Sequence, residues 1–171
     1  DPYKYCDLVR EKKITGSQEI IDGALEMAKK SIVLLKNKNN LLPLKKNGQK
    51  IALIGPLAAD KNSPLGNWRV AADNNTAVSV LEGLSNYGGN DIIHSLWVRL
   101  VNNIPDGFHE EVQLNLTNKT WISEAKEIAE KADVVIMVLG EYGFQSGEGR
   151  SRANIDLPGF QQELLEEIHQ V

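Results

Sequence analysis

The sequence predicts an α/β fold, a three-layer αβα sandwich around a mostly parallel sheet, on three observations. Helix-period and strand-like segments alternate along the chain, the order that builds parallel sheets with helices on both sides. The runs IALIG at 51–55 and VVIMVLG at 134–140 are apolar without polar alternation, as strands covered on both faces are. Finally, 171 residues that are 42% hydrophobic amount to one domain's worth of chain with enough apolar side chains for a real core.

The elements follow in order. From Gln18 to about Lys36, Ile21, Ala24, Leu25, Ala28, Ile32 and Leu35 fall at three- and four-residue steps, which predicts an amphipathic helix with Thr15 and Ser17 as candidate caps. NKNNLLPLKKNGQK reads as a loop broken by Pro43 and Gly48, and leads into the first strand at 51–55. A helix is expected over 77–87 and a second strand over 92–98; beyond a PDG turn, the alternation of VQLNL suggests a short edge strand. Thr120 is a candidate N-cap for a helix over 121–132, which runs into the strand at 134–140. The last helix is expected to open with Pro158 in its first turn and to carry Leu164, Leu165 and Ile168 on one face. The 51–55 and 134–140 strands are expected to be parallel neighbours. The chain ends after a helix that should feed another strand, so the sheet is expected to be truncated at its C-terminal end, with an unpaired edge that favours self-association.

Composition excludes several function classes. A net charge of −4 leaves no basic stripe for a phosphate backbone, so nucleic acid is not an expected partner. No apolar stretch approaches the roughly 18 residues of a membrane span. Cys6 is the only cysteine, so no internal disulfide can form. Gly140, Gly143, Gly147 and Gly149 do not fall as GxGxxG, which argues against a dinucleotide. His94, His109 and His169 are scattered without metal-ligand spacing; no cofactor and no metal is expected. Asn74, Asn115 and Asn118 stand in short glycosylation-type triplets, which matter only in a eukaryotic secretory context.

In such folds ligands meet the carboxyl ends of strands, and two loops qualify. One follows Gly55 and contains Trp68; the other follows Gly140 and gathers Glu141, Glu148, Arg150, Arg152 and Asp156. If their strands are neighbours, both loops flank one crevice. Glu148 stands between two glycines and reads either as a proton donor in a cleft or as a solvated loop acid. Arg150 and Arg152 read as holders of a carboxylate or sugar hydroxyl, or as surface charge. Glu141 fits a structural role, and Trp68 fits a sugar-stacking platform or plain packing.

Five stretches carry a family resemblance: DPYKYCD, AKKSIVLLKNKNNLLPL at 28–44, KIALIGPLAAD at 50–60, LGNW ending at Trp68, and ADVVIMVLGE continuing through SGEGRSRANIDLPGFQQELL. In that order they resemble the second domain of a family 3 glycoside hydrolase, the β-glucosidase and β-xylosidase family, especially its bacterial members. The pattern departs between about Ile93 and Trp121. The resemblance implies that residues 1–16 are a linker from a TIM barrel absent here and that 17–171 are the α/β sandwich domain. It also implies that the barrel supplies the nucleophile and most of the sugar pocket, and that Glu148 in SGEGRSR is the general acid/base. Trp68, Arg150 and Arg152 then become substrate-binding candidates on the cleft, and the chain alone is expected to be inactive. The implied whole is an exo-acting retaining β-glycosidase acting on β-linked oligosaccharides or glycosides, in the periplasm or secreted. A non-catalytic structural or sugar-binding domain of such an enzyme is the alternative.

Overall fold

Four consecutive apolar residues, Ile51 to Ile54, are each no more than 1% exposed, and a strand so apolar must lie at the centre of a sheet with both faces covered. A computed structural model describes residues 1, 3–69, 72–95, 98–107 and 109–171. In it β1 (Asn47–Ile54) is the central strand, flanked by β2 (Gly89–His94) and β3 (Val134–Met137), all parallel, in the order β2-β1-β3. Ile51 is level with Ile92 on one side and Val134 on the other. The expected pairing of the first and last strands is therefore present.

The described chain divides into two compact units, 1–44 and 45–171. The first contains α1 (Leu8–Ile14), within the segment expected to be a linker, and α2 (Gln18–Ser31). The Asp7 carboxylate caps α1 by accepting from the amides of Val9 and Arg10 at 3.0 and 3.1 Å. The sandwich lies in the second unit. Ala52 and Ile54 share a core with Trp121, Ile122, Ala125 and Ala129 of α4 (Trp121–Ala129) and with Leu164 and Ile168 of α5 (Gln161–His169). Ile51 and Leu53 point to the opposite face and are equally sealed, while α3 (Val80–Ser85) packs on β2. Lys126 and Glu167, 2.6 Å apart, join α4 to α5.

Several boundaries differ from expectation for local reasons. α2 stops at Ser31 instead of about Lys36, because Ile32 is already extended at φ −75°, ψ 126°, and the β-branched pair Ile32–Val33 suits that backbone better. α3 starts at Val80, where Ser79 and Glu82 form a reciprocal capping box. β2 begins earlier and ends at His94; part of its predicted range, residues 96 and 97, lies outside the described residues. VQLNL joins no sheet: Leu114 bridges Val101 in antiparallel fashion, and the Asn115 carboxamide then turns the chain by accepting from the Asn118 amide at 3.0 Å. Thr120 makes no side-chain cap; Asn118 instead accepts from the Thr120 amide and hydroxyl. Pro158 lies in the turn before α5, since Gly159 at φ 66° interrupts any helix there.

Candidate functional site

The two predicted loops leave the sheet side by side. Gly55, at φ 131°, ends β1, and a β-carbon there would lie 2.2 Å from the carbonyl oxygen of Val138, so only glycine lets the strands meet at this point. The Val138 amide still donates to the Ile54 carbonyl at 2.8 Å, after which the chains diverge.

The loop after β1 is built by its own polar side chains. The Asp60 carboxylate accepts from the amides of Asn62 and Ser63, opening a short turn over Ser63–Leu65. Asn62 Oδ1 accepts from Arg69 at 3.1 Å and from the Asn75 amide at 2.8 Å. Lys61 reaches Glu82 at 2.7 Å; that contact first, and the Ser79 amide second, hold the Glu82 carboxyl below its ordinary range. At the end of this scaffold stands Trp68, 67% exposed.

The loop after β3 is held from outside. Gly140 is gripped by the buried Gln161 carboxamide, which accepts from the Gly140 amide at 2.9 Å and donates to its carbonyl at 2.8 Å. The Tyr142 hydroxyl donates to the Pro56 carbonyl at 3.2 Å, and the Tyr142 ring stacks on Phe144 with centroids 5.2 Å apart. Burial, with Asp60 nearby, raises the Tyr142 pKa, so the phenol keeps the proton it donates. The Gly143 amide donates to Ser63 Oγ at 2.8 Å, and Asn67 Nδ2 donates to the Ser146 carbonyl at 2.9 Å. The two loops thus form one surface, as their adjacency required.

Each sequence-predicted residue has a definite place on it. Glu148 is exposed in a tight turn closed by the Arg150 amide donating to the Gly147 carbonyl at 3.1 Å. The Arg150 guanidinium donates to three carbonyls, those of Phe144, Gly107 and Glu110. Glu141 takes the structural role: it forms an ion pair with Arg152, which also donates to the Asp156 carbonyl. Trp68, Glu148 and Arg150 line one open groove of about 1530 Å³, together with Asn67, Arg99 and Asn103; Arg152 lies off it. This volume exceeds the roughly 300–1,000 Å³ of a pocket that encloses one small ligand. The groove's further wall comes from residues 98–105, Gly107 and Asn118, in an excursion where Glu110 accepts from the Asp106 amide and from Asn103.

Sequence reasoning missed Asn67, Tyr142 and this excursion. The one signal available was Gly66-Asn67-Trp68, a polar residue fixed between a glycine and the exposed aromatic. Among the described residues, no group of three His, Cys, Asp or Glu side chains could hold a metal ion, and no helix is long and apolar enough to cross a membrane. The Asn115 carboxamide is buried and engaged with the Arg99 and Asn118 carbonyls, which leaves no nitrogen open to a glycan.

The sequence profile of the glycosyl hydrolase family 3 C-terminal domain matches residues 32–171. Among curated relatives, the periplasmic beta-glucosidase of Salmonella typhimurium is 37% identical over 150 residues, covering 83% of this chain and 20% of its own length. A beta-xylosidase of Formosa agariphila is 34% identical over 160 residues, covering 91% of this chain and 20% of its own. Among solved structures, the beta-glucosidase from Listeria innocua in complex with glucose superposes with a TM-score of 0.76 at 30% identity, covering 99% of this chain and 21% of that one. The chain therefore spans about a fifth of the length of the relatives it matches.

Proposed function

The chain belongs to glycosyl hydrolase family 3 as its C-terminal domain, and from that premise we propose that it supplies Glu148 as the general acid/base of an exo-acting retaining β-glycosidase. One observation carries this reading. Glu148 stands at the tip of a tight, exposed turn, on the same groove as an exposed tryptophan and over the carboxyl edge of a parallel sheet. A carboxyl so placed can meet a partner surface, and Trp68 offers a sugar ring a flat apolar face.

A retaining glycosidase needs two carboxyls roughly 5–5.5 Å apart, one attacking the anomeric carbon and one serving as acid, then base. In this reading Glu148 first donates its proton to the oxygen of the departing sugar or aglycone. It then takes a proton from the water that releases the glycosyl group from the nucleophile. The nucleophile and the pocket for the terminal sugar belong to the barrel domain of the longer protein, whose surface would narrow the groove. Closure would exclude water and help the acid hold its proton until transfer. Trp68 would stack on the leaving-group side, with Arg150 shaping the wall beside it and Arg152 bracing the loop behind through Glu141. The substrates are terminal β-linked glucosides or xylosides, matching what the relatives are named for. A periplasmic or secreted setting is proposed from the Salmonella relative.

The deciding experiment is Glu148→Gln in the full-length enzyme. The expected result is a loss of about 10²–10⁴-fold on glycosides with poor leaving groups, with azide rescuing turnover of activated ones. Near-normal kinetics on both would make this domain a non-catalytic, sugar-binding or structural one.

A further inference from the structure

We propose that Asn67 is a positioning residue that, together with Arg150, fixes the turn carrying Glu148; this rests on the acid/base reading above. The turn has two lateral supports of different origin. On one side Asn67 Nδ2 donates to the Ser146 carbonyl, two residues before Glu148. On the other the Arg150 guanidinium, two residues after it, spans the carbonyls of Phe144, Gly107 and Glu110. Glu148 lies midway between these supports.

Close packing makes the Asn67 side specific. Gly147 adopts φ 104°, and a β-carbon there would lie 2.0 Å from Asn67 Nδ2, so the turn can approach the carboxamide only as glycine. Asn67 also directly precedes Trp68, and its backbone is set by the Asp60 and Asn62 scaffold. The carboxamide therefore ties the loop of the stacking platform to the loop of the acid, and fixes where one lies relative to the other. Position matters here because a general acid works only within about 2.6–3.2 Å of the oxygen it protonates, and a displacement near 1 Å can cost roughly 10²-fold.

The test uses the full-length enzyme with Asn67→Leu, which keeps the shape and the neutrality but removes the N–H donor, and Arg150→Lys, which keeps the charge but loses the planar fork. Phenyl and 2,4-dinitrophenyl β-glycosides are the probes, because only the first needs protonation of its leaving group. We expect kcat/KM on the phenyl glycoside to fall about tenfold or more in both variants. On the dinitrophenyl glycoside kcat/KM should change less than about twofold, since bond cleavage there makes no demand on the acid, while kcat and KM fall together because the water step still needs the base, and azide restores kcat. Amide hydrogen exchange over 146–150 should accelerate, and adding Asn67→Leu to Glu148→Gln should lower phenyl glycoside turnover no further. Equal losses of kcat/KM on both substrates, or unchanged exchange at 146–150, would overturn the proposal while a deficient Glu148→Gln still upheld the acid/base reading. Normal kinetics for Glu148→Gln would sink that reading and the catalytic part of this one, even if exchange showed the Asn67 contact to be real.

Discussion

The two loops at the carboxyl edge differ in where their order comes from. The loop after β1 folds on itself: Asp60, Asn62, Arg69 and Asn75 lie within sixteen residues and bond to one another. The loop after β3 is also anchored to distant segments, through Ser63, Asn67, Gly107, Glu110 and Gln161. A self-built loop is a fixed reference, whereas an externally held one is placed by whatever it touches. The pairing suits a site in which Trp68 keeps station and Glu148 is adjusted against it.

The largest expected disruption is Gly55→Ala, which drives a β-carbon into the Val138 backbone and undermines both loops at their common root. We expect a loss of about 3 kcal/mol or more, read as a lowered urea midpoint. A midpoint unchanged within error would mean that the strands part more freely here than their spacing implies. Asn62→Ala should act mainly on the loop after β1, costing about 0.5–1.5 kcal/mol because Arg69 and the Asn75 amide lose their acceptor. Hydrogen exchange should quicken most over 62–75, with a smaller change over 146–150 passed on through the Asn67–Ser146 bond; an equal change in both would erase the distinction between the loops.

The smallest effect is on acid stability. Glu82, which anchors the first loop through Lys61, is held below its ordinary value of 4.5 when folded. Its contribution is therefore fully present above that value and is lost as pH falls through the lower folded value. Lys61→Met should lower neutral stability slightly and leave stability well below about pH 4.5 unchanged, which flattens the acid limb of the profile. Glu110, lowered by the Asp106 amide, Asn103 and Arg150, has the same sign in the excursion that holds the second loop. An acid limb equally steep in Lys61→Met and the parent protein would refute the assignment of the effect to Glu82.

This contrast also marks how far the sequence could be read. The central strand and its parallel neighbour were legible because unbroken apolar runs have few places to go, and Ile51 to Ile54 are in fact sealed on both faces. Glu148 was legible as a candidate because two glycines flank it. Arg150 was legible only as a charge: its partners are carbonyls some forty positions away, which leave no mark in local composition. Asn67 was hidden among many loop asparagines, because its significance depends on a glycine eighty positions on. α2 was overextended since Ile32 and Leu35 fit a helical period equally well, while the backbone preference of Ile32–Val33 decided the end.

The Gln161 carboxamide meets Gly140 with both a donor and an acceptor, as a neighbouring strand would, although it belongs to a helix. In mechanical terms the second loop has a welded root. Gly140 cannot pivot without drawing α5, and the core side chains Leu164 and Ile168, along with it. Any travel of Glu148 toward a substrate must therefore arise beyond that weld, as the bending of a short arm and not the swing of a door.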